Sequence, residues 1–219
     1  MAASQPAAAA VSRVSRLALV LAVACLVVIG LLAWQVLSSG AVTVLDAQLT
    51  QYLAQRRQPW LNALMLAVTN GHDTVPVLGA AVLVALWRVW RQQARDLVWL
   101  AVVPTGMLVN VALKNVFARP RPVLEDPLVH LSTFSFPSAH AVASTVFYGA
   151  LCALVLAHAR SRLARGLAMA AAAAMVLVVC ASRVYLGAHY LSDVVAGVCV
   201  GLLCLLALRR PARAAEVHR

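Results

Sequence analysis

Six apolar stretches, punctuated by short clusters of arginine, constrain this chain more than any other feature. From Leu17 to Leu37 run 21 consecutive uncharged and mostly apolar residues. A bilayer core of about 30 Å needs about 20 residues of helix to cross it. Comparable segments follow, so that the expected spans are approximately 16–37, 73–90, 97–114, 140–157, 166–183 and 191–208. The uncharged core Leu97 to Leu113 has only 17 residues, but charged residues at helix ends extend such cores by snorkelling. The first run, preceded by Arg13 and Arg16, has the look of a signal peptide. Its length exceeds the apolar region of about 7–15 residues found in such leaders, so an uncleaved first helix is expected.

Composition agrees with a membrane setting. Of 219 residues 63% are hydrophobic and 11% charged, and the mean hydropathy is +0.87. A soluble domain carries roughly a quarter charged residues. The net charge of +11 suggests a nucleic-acid partner at first, but the positive residues are scattered between apolar runs and form no continuous basic surface. No nucleic acid and no obligate protein partner is expected. The five cysteines (Cys25, Cys152, Cys180, Cys199, Cys204) all lie within apolar runs and form no CxxC pair. They read as small buried hydrophobes.

Arginine placement predicts orientation. The N-terminus, the loops at Arg88/Arg91/Arg95 and Arg160/Arg162/Arg165, and the C-terminal tail together hold twelve basic residues, against six on the other side. The richer side is expected to be cytoplasmic, with both termini inside. The fold expected is all-α: a polytopic membrane protein of six transmembrane helices. Residues 1–12 read as a disordered N-terminus, 13–210 as one six-helix domain and 211–219 as a cytoplasmic tail. Between the first two spans, Leu45, Leu49, Tyr52 and Leu53 recur at helical spacing. This is an external interfacial helix, which either guides a lipid sideways or packs over the bundle.

The six basic residues on the external side are Arg56, Arg57, Lys114, Arg119, Arg121 and Arg183. With alternating spans, Lys114 closes the third, His140 opens the fourth, Arg183 closes the fifth, and His189 and Asp193 open the sixth. All then meet at one external surface. A cationic cluster placed against the positive-inside tendency calls for an anion.

Three stretches make up this cluster: KNVFARPRP (114–122), FPSAH (with its core at 137–140) and SRVYLGAHYLSD (182–193). They resemble the three-part signature of the type-2 phosphatidic acid phosphatase and vanadium haloperoxidase superfamily. In that signature Lys precedes Arg-Pro by six residues, then come Pro-Ser-Gly-His and Ser-Arg, five residues, His, three residues, Asp. Lys114, Arg121-Pro122, Ser182-Arg183, His189 and Asp193 match without a gap. Ala139 stands where glycine is usual. The family uses that residue's backbone N–H, so alanine serves unless φ is positive.

The resemblance implies hydrolysis of a phosphomonoester or diphosphate through a phosphohistidine. His189 would be the nucleophile, which requires a neutral ring. Asp193, four residues on and on the same helical face, would orient it. His140 would be the general acid for the leaving oxygen. Lys114, Arg121, Arg183, Ser138 and the Ala139 backbone would bind the phosphoryl oxygens, with Pro122 and Ser182 as accessory positions. No metal and no cofactor is expected. Arg119 reads as a loop charge or accessory substrate contact, Tyr185, Tyr190 and Trp60 as interfacial anchors, and His72, His130, His158 and His218 match nothing.

The function expected is therefore lipid phosphate hydrolysis at the external face of the plasma (inner) membrane, with membrane lipids as surroundings. Undecaprenyl diphosphate is the first guess for the substrate; phosphatidylglycerol phosphate and phosphatidic acid are alternatives. A haloperoxidase would share these residues, but such relatives are soluble. A phosphotransferase would pass the group to a lipid acceptor, and a non-enzymatic binder of anionic lipid would leave His189 and Asp193 unexplained.

Overall fold

The computed structural model describes residues 5–208, with side chains from Arg16 onward. Nine α-helices and a 3₁₀ turn at Ala94–Asp96 fill it: α1 (Gln5–Leu37), α2 (Ala41–Ala54), α3 (Pro59–Gly71), α4 (Thr74–Trp90), α5 (Leu97–Leu100), α6 (Val102–Phe117), α7 (Ala139–His158), α8 (Arg162–Tyr185) and α9 (Leu191–Ala207). No strand occurs among the described residues. Residues 1–4 and the tail 211–219, expected to be irregular, lie outside those described, although α1 already begins at Gln5.

Each expected apolar segment is helical, and two further helices precede the second segment. Four helices are long and apolar enough to cross a membrane: Arg16–Leu37, Ala94–Phe117, Ala139–His158 and Arg162–Tyr185. A fifth is obtained if α3 and α4, bent by 51° across a short break, count as one span; α9 is apolar but shorter. Leu19, Leu83, Leu86, Leu167 and Leu177 stand exposed on α1, α4 and α8. On membrane helices such side chains face lipid.

Helix α3 was not expected. Pro59 occupies its first turn, where a missing N–H costs nothing. It docks beside the last turn of α8: Tyr185 Oη donates to Asn62 Oδ1 at 2.8 Å and accepts from Gln58 N at 3.0 Å. Tyr185 is therefore a bracket between helices as well as a surface aromatic.

Helix α7 is the hub. Val142, Ala143, Val146, Phe147 and Ala150 on it are buried against Val102 and Val103 of α6 and Val200 of α9. Gly197 and Gly201, one turn apart on α9, let that helix lie directly on α7. A Cβ at Gly197 would meet Ser138 O at 2.7 Å, and one at Gly201 would meet Thr145 Cβ at 2.6 Å. Close approach through small residues four apart is a familiar way for membrane helices to pack.

At the far end of the bundle Arg88 departs from the expectation of a loop charge. It is buried, ion-paired with Asp96, and donates to His158 Nε2 at 3.0 Å. Pairing on this scale is what allows an arginine to leave water.

Candidate active site

The N-terminal end of α7 and the segment joining α8 to α9 form the centre of the site. Ser138 is the N-cap of α7, so the first N–H groups of that helix point outward unpaired by the helix itself. Ser138 N donates to Asp193 O at 2.9 Å, fastening the cap of α7 to the first turn of α9. Ala139 lies in ordinary helical backbone, so alanine in place of glycine carries no left-handed strain.

His189 is 1% exposed and has a different partner at each ring nitrogen. Arg121 Nη1 approaches Nε2 at 3.1 Å, and a guanidinium only donates, so Nε2 is the acceptor. The proton of the neutral ring then sits on Nδ1. That atom faces Asp193 Oδ2 at 3.6 Å and Ser135 Oγ at 3.4 Å. Burial, chiefly, and the Arg121 and Arg183 charges hold the ring down to about 3, against the upward pull of Asp193. The imidazole is thus neutral at physiological pH with its Nε2 lone pair turned to the cations.

Those cations converge from three elements. Lys114, in the last turn of α6, is 7% exposed and donates to Phe134 O. Arg183, in the last turn of α8, is 3% exposed, donates to Thr69 Oγ1, and keeps a buried Nε with no protein partner. Arg121 reaches Ala188 O and Thr133 O, each at 2.6 Å. Burial, opposed by Asp193, lowers the Arg121 pKa from its ordinary value, but an arginine stays charged at any relevant pH. Ser138 Oγ is likewise buried and without a protein partner. Buried donors are rarely left in that state, and a phosphoryl group suits both.

His140 opens α7 across from Arg183. Its Nε2 lies 3.0 Å from Asp73 Oδ1 and 3.3 Å from Thr69 O, both acceptors, so Nε2 carries a proton. Pro122 is half-buried and lines a cavity of about 450 Å³ that opens beside Arg121 between the 122–132 loop and Leu186–Ala188. Ser182 is fully buried and donates back to Val179 O at 2.7 Å, a bond within its own helix.

One reading needs correction. Arg119 is not an exposed loop charge. It is 6% exposed, and its guanidinium bridges Asp46 Oδ2 at 2.9 Å and Asp193 Oδ1 at 2.5 Å over the ring of Tyr190. Left-handed Ala118 ends α6 immediately before it and turns it inward. Sequence reasoning also missed Asp46, Thr69, Asp73 and Ser135. For Asp46 a signal existed: it shares a face of α2 with Leu49, Thr50 and Leu53, where a surface helix seldom places a carboxylate. Leu49 and Leu53 do pack on the bundle, whereas Leu45 and Tyr52 are exposed.

Residues 96–214 match the PAP2 superfamily. Phosphatidylglycerophosphatase B of Bacillus subtilis (strain 168) is 32% identical over 167 residues, covering 75% of this chain and 82% of that protein. The crystal structure of a transmembrane PAP2 type phosphatidylglycerolphosphate phosphatase from Bacillus subtilis aligns with a TM-score of 0.79 at 30% identity, over 85% of this chain and 93% of that one. Aquifex aeolicus LpxE aligns with a TM-score of 0.57 at 19% identity over 74% and 92%, a likeness of fold alone. The signature residues, the helical architecture and the length of these matches agree: the chain belongs to the PAP2 superfamily, in its membrane lipid phosphatase branch.

Proposed function

We propose that this phosphatase hydrolyses the terminal phosphate of phosphatidylglycerol phosphate through a phosphohistidine on His189. The observation that carries the mechanism is the buried ring itself, with Nδ1 toward Asp193 and Nε2 toward Arg121. The substrate is suggested by the activity in the names of the two Bacillus subtilis relatives. It takes precedence over undecaprenyl diphosphate, which nothing in those names favours. Six spans, both termini cytoplasmic and an external active site remain the topology that the arginine distribution supports.

In the first step Nε2 attacks phosphorus as the bond to the leaving oxygen breaks, and that oxygen takes a proton from His140. Lys114, Arg121, Arg183, Ser138 Oγ and the first amides of α7 neutralise the equatorial oxygens. Asp193 balances the positive charge that forms on the His189 ring. In the second step water attacks phosphorus, gives its proton to His140 and releases phosphate with neutral His189. Nothing in this scheme requires a metal ion.

The test is phosphate release by purified protein in detergent with EDTA, comparing phosphatidylglycerol phosphate, phosphatidic acid and undecaprenyl diphosphate. The highest kcat/KM is expected on the first. A preference for the diphosphate would restore the other substrate, and loss of all activity to EDTA would end the metal-free scheme.

The sign of the pH dependence follows from His189. A ring held to about 3 is already deprotonated at pH 4, so raising pH from 4 to 7 recruits no further nucleophile. After correction for ionisation of the substrate phosphate, kcat/KM is therefore not expected to rise over that range. A tenfold rise between pH 5 and 7 would contradict this. Lys114→Arg is expected to lower kcat by on the order of 100-fold, because a wide planar fork replaces a compact ammonium in a buried slot and displaces the phosphate. Near-normal turnover would remove the claim that the slot is specific for lysine.

A further inference from the structure

A buried charge triad lies behind the site, with Arg119 on the Asp193 oxygen that does not face His189. Asp46 comes from α2, Arg119 from the turn after α6 and Asp193 from α9, and they are 4%, 6% and 0% exposed. Two carboxylates share one guanidinium. Arg119 Nη1 binds Asp193 Oδ1 at 2.5 Å and Ser192 Oγ at 2.8 Å, and Nη2 binds Asp46 Oδ2 at 2.9 Å. Ser192 closes the ring: its N donates to Asp46 Oδ1 at 3.0 Å and its hydroxyl to Asp46 Oδ2. The other oxygen of Asp193 accepts from Ser135 Oγ at 2.5 Å and Tyr190 N at 2.9 Å, and that is the oxygen turned to His189.

Desolvating three charges is expensive, and such clusters often stabilise no more than a hydrophobic packing of equal size. What the triad does specify is direction. With Oδ1 pinned by Arg119, the carboxylate of Asp193 has one rotation left, and it presents Oδ2 to Nδ1 of His189. Arg119 has no Nη arm to spare for substrate, and Asp46 lies on the side of Arg119 remote from the ring.

We infer that Arg119 and Asp46 are positioning residues of the hydrolytic reaction, acting through Asp193 to hold His189 in the attacking tautomer and orientation. This rests on the phosphohistidine reading above. It also makes α2, the surface helix, a part of the catalytic apparatus: its Asp46 is the outer anchor of a chain that runs through Arg119 and Asp193 to the nucleophile.

The experiment is rapid-quench formation of the phosphoenzyme with ³²P-labelled phosphatidylglycerol phosphate in detergent micelles, on wild type, Asp46→Asn and Arg119→Lys. Asp46→Asn leaves Arg119 paired one to one with Asp193, so no buried charge is orphaned. Arg119→Lys keeps the cation and loses the two-armed fork. In both variants the rate of phosphoenzyme formation is expected to fall about 10- to 100-fold, with burst amplitude and KM within about twofold of wild type. A purely structural role would reduce the amplitude, the count of folded sites, and leave the rate alone. A wild-type rate in either folded variant, or a loss confined to amplitude, overturns the inference. Absence of any acid-labile phosphoenzyme in the wild type overturns the phosphohistidine reading and this inference with it.

Discussion

His189→Ala is expected to lower phosphate release by on the order of 10⁴-fold or more, with the protein still folded. In the phosphohistidine scheme proposed above, the substitution removes the side-chain atom that attacks phosphorus, and no neighbouring group is placed to replace it. Arg121 keeps Ala188 O and Thr133 O as acceptors, and Asp193 keeps Arg119, Ser135 and the Tyr190 amide. The cationic slot should therefore survive, and the variant should bind substrate while failing to turn it over. Phosphate release and equilibrium binding, measured on the same preparation, check both halves. Retention of more than about a hundredth of wild-type kcat would mean that another group attacks phosphorus.

The second large effect concerns a residue with no side chain. Gly197→Leu is expected to cost on the order of 3 kcal/mol or more and to abolish most activity. The new side chain would begin at a Cβ 2.7 Å from Ser138 O and 2.8 Å from Ala141 Cβ, and backbone cannot step aside as a flexible side chain does. Separating α9 from α7 breaks the bond from Ser138 N to Asp193 O, which holds the N-cap of α7 against the first turn of α9. Gly166→Ala is the control, since nothing lies within 4 Å of the Cβ it adds. Thermal melting in detergent should separate the two; equal melting temperatures would remove the packing argument.

The helices that hold the site were legible because hydropathy is a local property of the chain. The meeting of Lys114, His140, Arg183 and His189 was legible because alternating spans return every second end to the same surface. Helix α3 escaped because thirteen residues between Pro59 and Gly71 are too few to cross alone, and the 51° bend to α4 is invisible to a hydropathy pattern. The roles of Arg119 and Asp46 escaped for a different reason. The two lie 73 residues apart, and no periodicity links them. In an RPRP stretch either arginine is a plausible anion ligand; only the left-handed turn at Ala118 directs the first inward to the carboxylates and leaves the second to His189.

Lys114 has one more consequence. It is the only lysine in the chain and lies buried in the last turn of α6 with its ammonium on Phe134 O. A lysine-specific endoprotease thus has a single bond it can cut, inside the cradle, and an amine-acylating reagent has a single ε-nitrogen to find. Cleavage yields two fragments or none. The fraction of intact chain then meters how often the cradle opens, and phosphate added beforehand should slow the cut by keeping it shut.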